Sequence, residues 1–120
     1  MRKLFAVVVL LLASQSFAAT LYISEFTYKQ TTVVPAIGVL QAVQTPEVTR
    51  QTVAIAGASA QSAAFASTTQ IIRVHTDTAC SIQIGSTNPT ATLTSAKFEA
   101  GQTEYFIVNA GDKLAVIANP

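Results

Sequence analysis

Charge is what this chain of 120 residues has least of: 11% of its residues are Asp, Glu, Lys or Arg, against 50% hydrophobic. A disordered tail needs the opposite balance, low hydrophobicity with high net charge, so that class is excluded. The formal net charge of +1 also excludes a strongly basic nucleic-acid binder, because neutralising phosphates takes clustered Lys and Arg. Cys80 is the one cysteine, so no intramolecular disulfide can staple the domain, and its stability must come from packing or from assembly. With a single histidine beside that single cysteine, the three or four ligands of a zinc site are not on offer. Tryptophan is absent, and no Gly-rich phosphate loop occurs. No cofactor and no small-molecule substrate are implied. The missing charge is replaced largely by Ala, Ser and Thr, so the polar surface is mostly neutral.

What is present begins with a signal-like segment. Arg2 and Lys3 precede an unbroken apolar run from Leu4 to Ala13, within the range of a signal h-region and too short to span a bilayer, which takes roughly 20 residues. Ser16-Phe17-Ala18 places small residues where a signal peptidase reads. Residues 1–18 are expected to form a hydrophobic N-terminal helix, cleaved after Ala18 on export; the competing reading is an uncleaved helix packed on the domain. Cleavage removes two positive charges and leaves five basic against six acidic residues, with no stable membrane span.

Beyond Ala18, Thr, Val and Ile dominate, as strands favour, and no stretch holds a clean helical period. The first expected strand, Thr20–Tyr28, turns Leu21, Ile23 and the aliphatic part of Glu25 one way, and Tyr22, Ser24, Phe26 and Tyr28 the other. Residues 29–50 are apolar but interrupted by Pro35, Gly38 and Pro46, which suits either a strand–loop–strand excursion or an arm lying on a neighbouring subunit. Further strands are expected at Gln51–Ala56, Ser62–Ala66, Gln70–Thr76, Ser81–Ile84, Ala96–Ala100, Glu104–Asn109 and Lys113–Ala118, separated by turns at Gly57, Gly85 with Asn88-Pro89, Gly101 and Gly111. The expectation is an all-β fold, a small β-sandwich or jelly-roll-like domain. Residues 19–50 supply an N-terminal strand and arm, and 51–120 the core of the same domain. In the last two strands Phe106 and Val108 alternate with Tyr105 and Ile107, and Leu114 and Val116 with Ala115 and Ile117. Both faces are apolar, so both are expected to be covered, by the segment after Tyr28 or by another subunit.

Chemistry-bearing residues are few. Arg73, His75 and Asp77 alternate along one strand and share a face. A His–Asp pair can orient an imidazole for catalysis, but no nucleophile motif accompanies it, so a polar exposed face is the better reading. Cys80 alternates with Ile82 and Ile84 and reads as a small buried hydrophobe. Glu99 and Glu104 flank the Ala100-Gly101 turn and read as solvated turn ends rather than an acid–base pair. No residue is assigned a catalytic, cofactor-binding or metal role, and the chain is not expected to be an enzyme.

Several stretches carry a resemblance. These are Ala19-Thr20-Leu21-Tyr22-Ile23-Ser24-Glu25-Phe26, Thr52-Val53-Ala54-Ile55, Gln61-Ser62-Ala63-Ala64-Phe65, Arg73-Val74-His75-Thr76-Asp77, Cys80-Ser81-Ile82, Asn88-Pro89-Thr90-Ala91-Thr92, Ala100-Gly101-Gln102-Thr103-Glu104-Tyr105-Phe106 and Val116-Ile117-Ala118-Asn119. Over nearly all of the region after Ala18, the chain resembles a family of small tailed-phage proteins, usually of unassigned role. The resemblance implies a β-sandwich with a structural role in the bacteriophage virion, such as capsid decoration or a tail component, and homo-oligomeric contacts with its own copies and other virion proteins. Members of that family begin with Met directly before the counterpart of Ala19, so residues 1–18 depart from its pattern. That departure motivates the alternative: an exported periplasmic or surface binding module of bacterial origin. A third possibility, a small hydrolase, depends on His75 and Asp77.

Overall fold

Ten strands follow one another without a helix in the described residues, which are 18–30 and 41–120 of a computed structural model. The signal-like segment, except Ala18, lies outside them. In chain order the strands are β1 (Thr20–Phe26), β2 (Tyr28–Gln30), β3 (Gln41–Val43), β4 (Thr49–Ala54), β5 (Ala60–Gln61), β6 (Ile71–Thr76), β7 (Cys80–Gly85), β8 (Ala96–Phe98), β9 (Thr103–Ile107) and β10 (Lys113–Ala118). They form two four-stranded antiparallel sheets, β4-β1-β6-β9 (sheet 1) and β5-β10-β7-β8 (sheet 2). β2 and β3 pair as the two legs of an excursion between β1 and β4. Among the described residues no helix is long and apolar enough to cross a membrane.

Period-2 alternation sets the inward faces. In β1, Leu21, Ile23 and Glu25 are buried while Tyr22 is exposed, as the alternation of the sequence requires. Ile72 and Val74 on β6, Cys80 and Ile82 on β7, and Leu114 and Val116 on β10 join Leu21 and Ile23 in one core shared by both sheets. Phe98 of sheet 2 stacks on Phe106 of sheet 1 with ring centroids 6.1 Å apart. Burying a side chain of this size contributes about 1.5–3 kcal/mol, so these contacts carry most of what a disulfide-free domain has available.

Two expectations are corrected. Ser62–Ala66 is not a strand; the strand ends at Gln61, and the segment that follows is held by the backbone of residues 111–114, with the Ser62 and Phe65 N–H groups donating to the Leu114 and Asp112 carbonyls, and by side chains. The Glu25 carboxylate, 1% exposed, accepts from the Ala66 N–H and the Thr69 hydroxyl at 2.8 Å each and from Gln51 Nε2 at 3.2 Å. Gln51 Oε1 in turn accepts from the Ala63 N–H at 2.9 Å. These bonds tie the connection from β5 to β6 onto sheet 1 and bring Phe65 into the core.

The second correction concerns the source of cover for β10, whose sequence looks like that of β9. β10 is central in sheet 2, and its outward Ala115 is fully buried. The cover on that side is the chain's own β7–β8 connection, residues 86–95. Gln61 Nε2 donates to the Pro89 carbonyl at 2.9 Å, the Ala91 N–H to Ser59 Oγ at 2.9 Å, and Asn119 Nδ2 to both Ser81 Oγ at 2.8 Å and the Leu93 carbonyl at 3.1 Å. β9 is an edge strand, and its outward Tyr105 and Ile107 are 58% and 82% exposed. Among the described residues, nothing covers that face.

Candidate functional site

The register of sheet 1 lays its outer face out in rows. One row runs Thr52, Tyr22, His75, Thr103; the next runs Arg50, Ser24, Arg73, Tyr105; the last runs Phe26, Ile71, Ile107. The face thus grades from polar through basic to apolar along the strands. The β4, β1 and β6 members of the first two rows, with Glu47, Gln51 and Asp77, line an open depression of about 660 Å³.

Of the titratable groups there, His75, Asp77 and Arg50 each have a partner. His75 Nδ1 lies 2.7 Å from Thr103 Oγ1 on the neighbouring strand. The pair is a non-hydrogen-bonded one, in which side chains come closest. Its ring is tilted against Tyr22, with centroids 6.2 Å apart. Asp77, just past the end of β6, turns away from His75 and accepts from the Thr20 N–H at 2.8 Å, holding the start of β1. Arg50 is ion-paired with Glu47. Arg73, between Ser24 and Tyr105, has no carboxylate partner among the described residues. The structure therefore brings Arg73, His75 and Asp77 to one depression, but it does not join His75 to Asp77. The hydrogen-bond geometry needed to orient an imidazole for base catalysis is directed to a threonine instead.

The remaining sequence candidates lie elsewhere. Cys80 is fully buried, with its Sγ 3.5 Å from Thr76 Oγ1. Burial pushes its thiol above the ordinary value, the Thr76 hydrogen bond draws it down, and the charge of Asp77 raises it. A thiol held protonated is a poor nucleophile and a poor metal ligand. Glu99 pairs with Lys97 at 3.7 Å and Glu104 accepts from Gln102 Nε2 at 3.0 Å, so Gln102 stands between the two acids. No three His, Cys, Asp or Glu side chains gather as a metal site among the described residues.

Tyr22, Ser24 and Arg50 join the depression and Thr103 bonds His75, although the sequence pointed only to Arg73, His75 and Asp77. The outward alternation of β1 was the available signal for Tyr22 and Ser24. Arg50 and Thr103 needed the strand register. Compared with known proteins, the chain matches no family model, no curated protein and no solved structure.

Proposed function

We propose that the chain is a non-enzymatic structural component of a phage virion, such as a capsid decoration or other particle-surface protein, built as a jelly-roll sandwich and acting by homo-oligomeric packing. The observation that carries this is the nesting of the strand pairs. β7 pairs with β8, β6 with β9, β5 with β10 and β4 with β1, so one long hairpin is rolled across two sheets. This nesting supports the jelly-roll reading, an order that recurs in viral capsid domains, with one change: the last strand of that order is here the first, β1. The start of β1 and the end of β10 lie near each other, because both bond the Ile55-Ala56 backbone. The Ala19 carbonyl accepts from Ile55 N–H at 2.9 Å and the Ala118 N–H donates to the Ala56 carbonyl at 2.8 Å. The neutral surface suits close subunit packing, and assembly would add stability that a small core supplies sparingly. The sequence resemblance supports the same role. Mass spectrometry of purified particles tests it: the chain is expected at stoichiometric copy number, and its absence from every virion fraction would reject the role.

The depression on sheet 1 favours a second reading, an exported β-sandwich binding module, in which residues 1–18 are a cleaved signal and Tyr22, Arg73 and His75 face a ligand. The N-terminal residue of the native protein separates the two. Ala19 in periplasm or medium supports export, and a retained Met1 rejects it.

A further inference from the structure

The four edge strands of the two sheets are guarded unequally. β5 has two residues, and β8 three with Lys97 among them. β4 carries Arg50, and the side chain of Gln51 bonds the backbone of Ala63 alongside it. Short length, charge and covering segments are the usual protections against edge pairing. β9 has only one of them, the charge of Glu104. It runs Thr103-Glu104-Tyr105-Phe106-Ile107, with no Lys, Arg, Pro or Gly, in residue types that favour strands.

The free backbone groups of β9 can be assigned. The Val108 N–H donates to the Gln70 carbonyl at 3.0 Å and the Thr76 N–H to the Gln102 carbonyl at 3.1 Å. Hydrogen-bonded pairs alternate along an antiparallel ladder, so Glu104 and Phe106 also face β6, and the N–H and C=O groups of Thr103, Tyr105 and Ile107 point out of the sheet. Among the described residues these groups have no partner.

We propose that two copies of this chain pair through β9, edge to edge and antiparallel, about a two-fold axis at Tyr105, making sheet 1 continuous across the dimer. The proposal deepens the homo-oligomeric part of the function above. The strand is complementary to itself in this register. Tyr105 meets Tyr105, and Thr103 meets Ile107 in both directions, so every outward group finds a partner in about six hydrogen bonds. Glu104 falls opposite Phe106 rather than opposite its own copy, which avoids facing like charges. The two Arg73 side chains stand three strand spacings apart, roughly 14 Å, beyond the ~8 Å screening length at physiological salt. Tyr105 and Ile107, exposed in one copy, gain cross-strand neighbours. An interface of one short strand is small, so the affinity expected is weak, with a dissociation constant on the order of tens to hundreds of micromolar. Many copies on one particle would reinforce it.

The test is sedimentation velocity on the protein with its native N-terminus, from about 10 µM to about 1 mM, the range set by that affinity, with amide exchange at both ends of the range. A monomer–dimer equilibrium is expected, with the amides of Thr103, Tyr105 and Ile107 gaining protection as concentration rises and those of Glu104 and Phe106 unchanged. Tyr105→Pro removes an N–H that points away from β6 and so spares the internal ladder. Ile107→Lys places a charge on the edge. Each should weaken dimerisation at least about tenfold, the mark of a lost pairing of roughly this size, while Leu93→Lys, on an exposed loop, should leave it unchanged. A monomer throughout, or a dimer indifferent to both substitutions and protected elsewhere, overturns the proposal. These results are separable from the virion role: a monomer found in particles rejects the edge pairing alone, and a β9 dimer absent from particles rejects the role alone.

Discussion

Glu25 offers the sharpest check on how the two sheets are tied together. Its carboxylate is buried on the core face of β1 and accepts three hydrogen bonds, two of them from the connection between β5 and β6. Glu25→Ala deletes the acceptor and leaves the Ala66 N–H and the Thr69 hydroxyl without it. At about 1–3 kcal/mol for each buried group left unsatisfied, the expected loss is about 3–4 kcal/mol, a large part of the 5–15 kcal/mol typical of a whole domain. Glu25→Gln is more informative. Its amide oxygen can still accept from Ala66 and Thr69, but its NH₂ then faces Gln51 Nε2, donor against donor. Gln51 cannot flip freely, because its Oε1 is occupied by the Ala63 N–H. The expected loss is about 1–2 kcal/mol, a midpoint shift of roughly 1 M in urea with an unchanged slope. Gln51→Glu alone sets two carboxylates side by side and should also destabilise. The double variant Glu25→Gln with Gln51→Glu reverses the polarity of the contact and should recover most of the loss, with a coupling energy of about 1–3 kcal/mol. Urea unfolding of the four proteins completes the cycle. If Glu25→Gln stays within about 0.3 kcal/mol of the parent, below the usual worth of one hydrogen bond, or if the two losses simply add, the carboxylate is not the tie described.

Two further outcomes follow from local geometry. Cys80, buried with its thiol held above the ordinary value, should react with iodoacetamide in urea-unfolded protein and not in native protein. Because the folded state holds the thiol proton more tightly than the unfolded state, the contribution of Cys80 to stability is complete below the ordinary thiol pKa and declines as pH rises toward the folded one. Cys80→Ala should flatten that alkaline decline in a series of urea melts from pH 7 to 10, and an unchanged slope would contradict the assignment. Gly111 has φ +84° with nothing within 4 Å of where a Cβ would sit, so Gly111→Ala is resisted by the backbone alone. It should cost about 1–2 kcal/mol in thermal melts, and a neutral result would argue against the left-handed turn before β10.

How much of this the sequence discloses depends on whether the deciding contact is local. The alternation of β1 is enough to turn Leu21, Ile23 and Glu25 inward and Tyr22 and Ser24 outward, since side-chain direction in a strand has period 2 whatever its neighbours are. The turns at Gly101 and Gly111 are legible for the same reason, as both glycines hold positive φ. Ser62–Ala66 misleads because its backbone groups are satisfied partly by the side chains of Glu25 and Gln51 and partly by the backbone of residues 111–114, all far away in sequence, and nothing within the segment records that. The pair β9 and β10 shows the limit most clearly. Each alternates apolar residues on both faces, and local composition cannot distinguish a central strand from an edge. β10 gets its second cover from residues 86–95, a run of Ser, Thr, Asn, Pro and Ala with one Leu that reads as a loop and gives no sign that it folds back over Ala115. β9 lies where that loop does not reach. The same hydropathy pattern therefore means a covered strand in one sheet and a bare edge in the other. Likewise, Arg73, His75 and Asp77 share a face by spacing alone. Only the register sets Tyr22 and Thr103 beside His75 and shows that His75 is held by a threonine from β9, the strand whose other edge is open.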